Sequence, residues 1–292
     1  MRAKDPKVSL ACGLLTAKLA GEDGKPEGKS GTVESIVAET NVVIEITETN
    51  GVTRAHGDKA AYSAANETLV LSGADPMVEL GAQHVQMWSP YITIDLKNGM
   101  VNAKGPVRTK IPAGVMSKMS PGASNLKPGG TQSGLAEEHA DILSDDFQFI
   151  SGSGLAVWRG NVRVRDPKLA VTCELLTGTQ TPESGALQSM VAETNVVIQI
   201  TETNGMTTAR GDKAVYSAQD ETLVLSGKDP MLESASTHLQ MWSPYITMGL
   251  KKKTLNAKPP VRTRIPPGAF GQPGEGGFNL KPGGPPPEEP RK

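Results

Sequence analysis

The chain contains two copies of one unit, and this duplication constrains the fold more than any other feature. Residues 38–112 align without a gap to residues 192–266, and 53 of these 75 positions are identical. The blocks AETNVVI, ETLVLSG and QMWSPYIT recur in both copies. A duplication of this kind predicts one folding unit used twice rather than two unrelated domains.

The copies differ at their beginnings, and this sets the expected domain boundaries. The segment DDFQFISGSGLAVWRGNVRVR, residues 145–165, precedes the second copy and has the alternation and turn residues of a β-hairpin. Only four residues precede the matching point, Asp5, of the first copy. We interpret the chain as one that starts inside its first repeat, so the absence of an export signal carries little weight. The predicted domains are a first repeat at 1–112, a linker at 113–146, a second repeat at 147–266 and a disordered tail at 267–292.

The linker and the tail are set apart by their composition. From Pro266 to Lys292, proline and glycine make up 15 of 27 residues, which leaves too few apolar groups for a packed core. The stretch after Pro112 is of the same type, and NLKPGG occurs in both segments. The two repeats are therefore expected to be joined by a flexible Pro/Gly-rich linker.

Within each repeat the pattern is that of β-strands. Residues 41–47 and 195–201 alternate between polar and apolar, and each run is followed by Asn-Gly, which favours a tight hairpin turn. A two-residue turn at Asn50-Gly51 would place Ile46 opposite Ala55, Ile44 opposite Gly57 and Glu45 opposite His56, and the second copy would pair Gln199 with Arg210. Further strands are expected at 59–64, 68–72, 77–80, 84–96 and 100–111. With no sustained helical period, the fold class is predicted to be all-β: a sandwich, a barrel or a jelly roll.

Composition excludes several functions. The formal charge of −1 removes the electrostatic case for nucleic acid or an anionic membrane surface. No stretch approaches the roughly 20 apolar residues of a membrane-spanning helix, so an integral membrane protein is not expected. The four histidines do not combine with cysteines or spaced carboxylates into a metal site, and no catalytic arrangement recurs in both copies. We therefore expect no enzyme activity and no cofactor.

Two further motifs have structural interpretations. Cys12 and Cys173 occupy the same repeat position in apolar strands, which favours buried thiols over a disulfide. Arg210-Gly211-Asp212 spells an adhesion tripeptide, but the first copy has His56-Gly57-Asp58 at that position. Because only Gly-Asp is shared, a turn or strand-bend role is the better interpretation.

Three segments of the chain form an ordered series of motifs: VWRGNVRVRDP at 157–167, ARGDKAVYS at 209–217 and ETLVLSGKDPM at 221–231. In this order they resemble the opening, the A-x-G-x-x-A-x-Y strand and the L-x-L-x-G-x-P step of the LptA/OstA-type domain of lipopolysaccharide transport. The first copy repeats the last two at 55–63 and 67–77. The resemblance implies two tandem open β-jelly-roll units with an apolar groove that shelters acyl chains in the periplasm.

The groove implied by this resemblance would be lined by inward aliphatic side chains. The same residues would form the closed core of an ordinary β-sandwich if they packed only against one another. In the two copies they are Val42, Ile44, Ile46, Leu69, Leu71, Val85 and Met87, and Val196, Ile198, Ile200, Leu223, Leu225, Leu239 and Met241.

The resemblance also implies a location and partners. A periplasmic protein of outer-membrane assembly would bind lipopolysaccharide or another acylated lipid and would contact other proteins of the transport bridge. The unpaired sheet edge expected in the first copy could allow self-association. The competing hypothesis is a structural or adhesive β-repeat protein that binds protein or glycan through its outer faces.

Overall fold

The described structure is built entirely of β-strands. In this computed structural model the described residues are 1–4, 8–19, 33–48, 51–81, 85–112, 139–181, 185–202, 205–265 and 279–280. These ranges contain no helix of the length and hydrophobicity that a membrane-spanning segment requires. The strands are β1 (Arg2–Lys4), β2 (Val8–Ala11), β3 (Leu14–Leu19), β4 (Val33–Glu48), β5 (Gly51–Ser63), β6 (Thr68–Ser72), β7 (Met77–Leu80), β8 (Val85–Trp88), β9 (Tyr91–Asp95), β10 (Met100–Pro112), β11 (His139–Ile150), β12 (Leu155–Arg165), β13 (Leu169–Gln180), β14 (Leu187–Glu202), β15 (Gly205–Ser217), β16 (Thr222–Ser226), β17 (Met231–Ser234), β18 (Leu239–Trp242), β19 (Tyr245–Gly249), β20 (Thr254–Ala257), β21 (Arg262–Arg264) and β22 (Asn279–Leu280).

A line of β-bulges crosses the long strands near their middles. A bulge places an extra residue in one strand and bends it, so bulges in register across neighbouring strands bend the whole sheet. Asn41, Asn161 and Asn195 have positive φ angles at these points, a conformation that asparagine tolerates better than most residues. The register shifts lie between Glu39 and Val42, Lys104 and Val107, Leu143 and Asp146, Arg159 and Val162, Thr172 and Leu175, and Glu193 and Val196.

The bend divides the sheet into two half-sheets that face a common interior. In the first copy, the first half of β5 pairs with β7 and its second half pairs with β6. Strand β10 divides in the same way between β8 and β9. The second copy repeats this division when β15 pairs with β17 and β16. The fold class is therefore all-β with the open, two-layer character of a β-jelly roll.

The Gly-Asp pairs lie at the bend, which agrees with their interpretation as structural. The Asp58 carboxylate accepts a hydrogen bond of 2.8 Å from the backbone amide of Ala74, and Asp212 accepts one of 2.7 Å from that of Lys228. Gly73 and Gly227 pass directly against these two carboxylates with φ angles of 145° and 148°. The Arg-Gly-Asp tripeptide is thus part of strand β15, where its aspartate accepts a hydrogen bond from the loop between β16 and β17.

The opening hairpin predicted for the second copy is confirmed, and it is longer than expected. Strands β11 and β12 pair from Asp141↔Arg165 to Ile150↔Leu155. Because β11 begins at His139, the last eight residues assigned to the linker are strand, and the second repeat begins before the predicted residue 147. Ala140 and Ile142 are fully buried, which explains why this polar-looking segment belongs to the sheet.

The two repeats are joined by main-chain pairing, which corrects the expectation of two units on a flexible tether. Strand β10 of the first copy pairs with β11 of the second from Met100↔Ile150 to Pro112↔His139. The linker residues 113–138 lie outside the described residues. The tail also lies outside them, except that Asn279–Leu280 forms β22 beside β20 within the range interpreted as disordered.

The hairpin register differs by two residues from the prediction. Ile46 lies opposite Thr53, Ile44 opposite Ala55 and Glu45 opposite Arg54. In the second copy Gln199 lies opposite Thr208, and Arg210 lies opposite Val197. Since side chains alternate with a period of two, this shift leaves the inward and outward faces as predicted.

The other predicted strands are close to those observed. The strand expected at 84–96 is divided into β8 and β9, because Ser89 and Pro90 interrupt it at the bend. The Ser89 hydroxyl donates to the Lys104 carbonyl at 2.7 Å, and Ser243 donates to Lys258 at 2.6 Å in the second copy.

Candidate functional site

The candidate site is the interior between the two half-sheets. Alternate residues of each strand point inward, and the buried set is dominated by aliphatic side chains. Thirteen of the fourteen predicted groove residues are buried, while Leu239 in β18 is half-buried. In β6 the choice of Leu69 and Leu71 over Val70 agrees with the structure, since Val70 is less buried than either.

Among the described residues, three interior cavities lie along the stack of strands. The largest, about 440 Å³, is in the first copy and is lined by Ile44, Ile46 and Leu69 together with Val8, Leu10, Ile36, Ala38, Ala60, Tyr62 and Leu96. A cavity of about 70 Å³ spans the junction between the copies, from Ile46 and Val85 to Phe147 and Trp158. The third, about 20 Å³, is lined by Ile198 and Leu223 at the matching position in the second copy. The other predicted residues do not line these three cavities, and all of them are buried except the half-buried Leu239.

Several interior residues were not identified from the sequence. Ile92 and Ile94 in β9 and Val101 in β10 point inward, and their alternating pattern would have been a sufficient signal. Phe147 and Trp158 belong to the sequence motifs described above but were not predicted to line the interior. Nothing in the sequence shows that β11 and β12 pack against the first repeat.

The junction between the copies is occupied by an aromatic pair. The ring centroids of Phe147 and Trp158 lie 5.2 Å apart, and the indole is 3% exposed. Its Nε1–H donates a buried hydrogen bond of 3.1 Å to Oγ1 of Thr109, which belongs to the first copy. This bond fixes the orientation of the ring, so the aromatic pair (Phe147 and Trp158) narrows the interior where the two repeats meet.

Two polar atoms of the second copy are buried beside the interior cavities. Among the described residues, the Tyr216 hydroxyl and Oε1 of Gln180 have no hydrogen-bond partner. Burial, with a smaller contribution from the charge of Glu221, raises the pKa of Tyr216 to about 12. Its counterpart in the first copy, Tyr62, is half-buried at the large cavity. Each repeat therefore directs one phenol group toward an otherwise aliphatic interior.

The outer face carries a second repeated feature. The Arg108 guanidinium lies 5.7 Å from the ring centre of Trp88, and the Arg262 guanidinium lies 4.5 Å from that of Trp242. Arg108 also pairs with Asp141 of β11 at 3.1 Å. These contacts lie outside the interior and stabilise the outer surface of the bend.

The residues considered for metal chemistry are dispersed. Among the described ranges, no group of three or more histidine, cysteine, aspartate or glutamate side chains could hold a metal ion. His84 lies outside the described residues, and His238 is exposed in the turn between β17 and β18. Cys12 and Cys173 are free and buried, which confirms the sequence prediction.

The thiol of Cys173 is expected to be inert in the folded protein. Burial raises the pKa of Cys173 to about 11, so only about a thousandth of the thiol is ionised at pH 8. In a Cys12→Ser variant, a disulfide exchange reagent at pH 8 should react with Cys173 at the rate of unfolding and promptly in denaturant. Fast reaction of the folded variant would contradict this prediction.

Comparison with known proteins gives a family for the second repeat. Residues 141–252 match the family described as LptA/(LptD N-terminal domain) LPS transport protein. This is a transport family, and the interpretation of the chain as a non-enzymatic protein agrees with it. No curated protein matches the chain significantly.

A solved structure is also similar to part of the chain. It is the crystal structure of LptH, the LptA-homologous periplasmic component of the lipopolysaccharide transport device of Pseudomonas aeruginosa. The two share 17% identity with a TM-score of 0.39, over 44% of this chain and 95% of LptH.

Proposed function

We propose that this chain, whose residues 141–252 form an LptA/OstA-type domain, is a non-enzymatic lipid-binding protein of lipopolysaccharide transport that acts in the periplasm and shelters acyl chains between its half-sheets. The observation that carries the proposal is the cavity of about 440 Å³ in the first copy. Its volume falls within the roughly 300–1,000 Å³ typical of ligand pockets.

The chemistry of this cavity favours an acyl chain. Among the described residues, the ten that line it include no charged side chain, and Tyr62 supplies their one polar side-chain group. Burial of each methylene of a ligand contributes about 0.8 kcal/mol, so an aliphatic chain gains free energy along its whole length. A peptide would gain less, because β2, β4, β5 and β6 around the cavity already pair with one another through their main-chain groups.

The sheet edges are proposed as the contact points for other transport-bridge proteins or for a second copy of the chain. In the described part of the chain β3 pairs only with β4, and its Leu14 and Leu19 are more than half exposed. Val261 and Ile265 are exposed beside β21 at the opposite end. Exposed apolar residues on an edge strand favour pairing with another strand.

Photo-crosslinking from the two faces of β4 tests lipid binding. A diazirine-bearing aliphatic amino acid at Ile44 is expected to capture lipopolysaccharide, because Ile44 is 3% exposed and lines the cavity. The same amino acid at the neighbouring Glu45 should capture little, because Glu45 points outward to Arg54 at 3.2 Å. Mass spectrometry of the adducts measures both yields, and equal capture from the two faces would reject the proposal.

The repeated aromatic–cation pairs on the outer face favour the second candidate, a structural or adhesive protein that binds protein or glycan. This candidate predicts a closed, dry interior with no lipid in the purified protein. Native mass spectrometry of the purified protein separates the two: bound acyl species support lipid transport, whereas their absence together with no capture at Ile44 supports the adhesive role.

A further inference from the structure

We infer that the outer face of the sheet, where the two repeats meet, is a docking surface for a lipid bilayer that contains anionic phospholipids. This surface, the junction patch, is formed by six outward side chains on β8, β10, β11 and β12: Trp88, Arg108, Lys110, Leu143, Arg163 and Arg165. The inference goes beyond the proposed function, because it concerns the outer face and does not depend on acyl chains in the interior.

The alternation of the strands directs these side chains to the outside. In β10 the buried Thr109 separates Arg108 from Lys110, and in β12 the buried Val164 separates two exposed arginines. Because neighbouring residues of a strand point to opposite faces, the four cations lie on the face turned away from the interior.

The register of the strands brings the members of the junction patch together in two rows. In the first row Trp88 lies opposite Arg108 of β10, and Arg108 lies opposite Leu143 of β11. Leu143 in turn lies opposite Arg163 of β12. Neighbouring strands are about 4.8 Å apart, so this row of four strands spans about 14 Å. The exposed leucine is thus flanked by two arginines.

The second row leaves the junction patch positively charged. Lys110 and Arg165 lie on either side of Asp141 of β11. The Asp141 carboxylate accepts hydrogen bonds from Arg108 at 3.1 Å. In the described part of the chain, the other three cations of the junction patch make no ion pair. One carboxylate therefore faces four cations.

This local charge is not visible in the charge of the whole chain. The formal charge of −1 is a sum over all faces, whereas a charged surface responds to groups within a Debye length, about 10 Å at 0.1 M ionic strength. On the other half-sheet Lys59 pairs with Glu39, and Lys213 pairs with Glu193, each at 2.9 Å. Asp145, the next carboxylate along β11, lies in the bulge and outside the two rows.

The mixture of cations and apolar side chains favours a bilayer over a soluble polyanion. Arginine and lysine side chains are attracted to an anionic leaflet, and tryptophan is enriched at the level of the lipid headgroups. Leu143 is 40% exposed, and a bilayer can bury such a side chain at the boundary between headgroups and acyl chains. A nucleic acid or a charged glycan would cover the same leucine with phosphates or hydroxyls, and its burial would gain less.

Sedimentation of the full chain with vesicles tests the inference. The vesicles contain phosphatidylcholine alone, or phosphatidylcholine with about 30 mol% phosphatidylglycerol to create a negative surface potential. We expect binding to the anionic vesicles at low salt. Binding to the neutral vesicles, or to the anionic vesicles at about 0.5 M salt, should be weak because ions screen the attraction between exposed charges.

Removing charges from the junction patch is expected to weaken this binding strongly. Arg163→Gln combined with Arg165→Gln should lower the partition coefficient by about 25-fold, since each cation near an anionic leaflet contributes about fivefold. Lys104→Gln combined with Arg159→Gln is the matched control. It removes two exposed cations from the same strands, β10 and β12, on the other side of the bend, and it should have little effect.

Leu143→Ser separates a bilayer from a soluble polyanion. It keeps every charge of the junction patch and removes the apolar contact, so it should weaken binding to the anionic vesicles severalfold. Heparin serves as the soluble polyanion, and its binding should not change in this variant. All the substituted side chains are exposed, so the variants should fold like the unmodified chain, as judged by circular dichroism.

Three results would overturn the inference. The first is an absence of sedimentation with the anionic vesicles at low salt. The second is an equal loss of binding in the double variant of the junction patch and in its control. The third is unchanged vesicle binding by Leu143→Ser, which would assign the junction patch to a soluble polyanion. Crosslinking at Ile44 reports on the interior alone, so the proposed function and this inference can fail independently.

Discussion

Trp158→Ala is expected to destabilise the protein by about 3–5 kcal/mol, the cost usual for removing a buried tryptophan. The indole is 3% exposed, packs against Phe147 and donates to Thr109, so truncation leaves a cavity and an unpaired hydroxyl at the junction of the repeats. Urea unfolding measured by far-ultraviolet circular dichroism would give the change in the free energy of unfolding.

Trp242→Ala is the matched control for this substitution. Trp242 lies on the outer face beside Arg262 and is only partly buried, so its truncation should cost much less. The prediction fails if the two substitutions lower the free energy of unfolding equally. A double-mutant cycle with Thr109→Val would isolate the contribution of the hydrogen bond between the repeats.

Tyr216→Phe is expected to stabilise the protein, by about 1–3 kcal/mol, because it removes a buried hydroxyl that has no hydrogen-bond partner among the described residues. The gain should increase at high pH. Tyrosine in the unfolded chain ionises near pH 10, whereas burial raises the pKa of Tyr216 to about 12 in the fold. Between about pH 10 and pH 12, the Tyr216 hydroxyl ionises in the unfolded state but not in the folded state. The free energy of unfolding of the unmodified protein therefore falls as the pH rises, whereas that of the variant does not fall for this reason.

Urea unfolding of both proteins at pH 8 and pH 11 measures the effect. The stabilisation by Tyr216→Phe should be larger at pH 11 by about 1 kcal/mol, since each unit of pH within this range contributes up to about 1.4 kcal/mol. Tyr62→Phe is the control, because Tyr62 occupies the equivalent position but is half-buried. A gain that does not depend on pH would contradict the assigned cause.

Local patterning was sufficient to predict most of the strands and their inward faces. Alternation in β4 and β14 identified Val42, Ile44 and Ile46 and their counterparts as inward, and all six are buried. The error of two residues in the hairpin register did not disturb this result, because a shift of two preserves the face of every side chain. The turn residues alone could not define the register, because the last pair is Glu48↔Gly51 and Gly51 lies in β5 rather than in the turn where the prediction placed it.

Contacts between residues that are far apart in the sequence could not be predicted from local patterns. The Pro/Gly-rich composition of the stretch after Pro112 predicts a linker as far as residue 146, yet residues 139–146 pair with β10. The pairing partner of a strand depends on which edges remain available after the rest of the sheet has formed. No local pattern in β11 indicates that β10 is its neighbour.

By itself, the sequence determined the duplication, the all-β class and the aliphatic interior, because each is a property of composition or of local periodicity. Only the tertiary structure decided that the two copies are unequal. Tyr62 and Tyr216 lie in nearly identical segments, yet one is half-buried and the other is 1% exposed. The physical reason is that burial depends on the strands that cover a residue, and in the described structure Val164 of β12 lines the same small cavity as Tyr216.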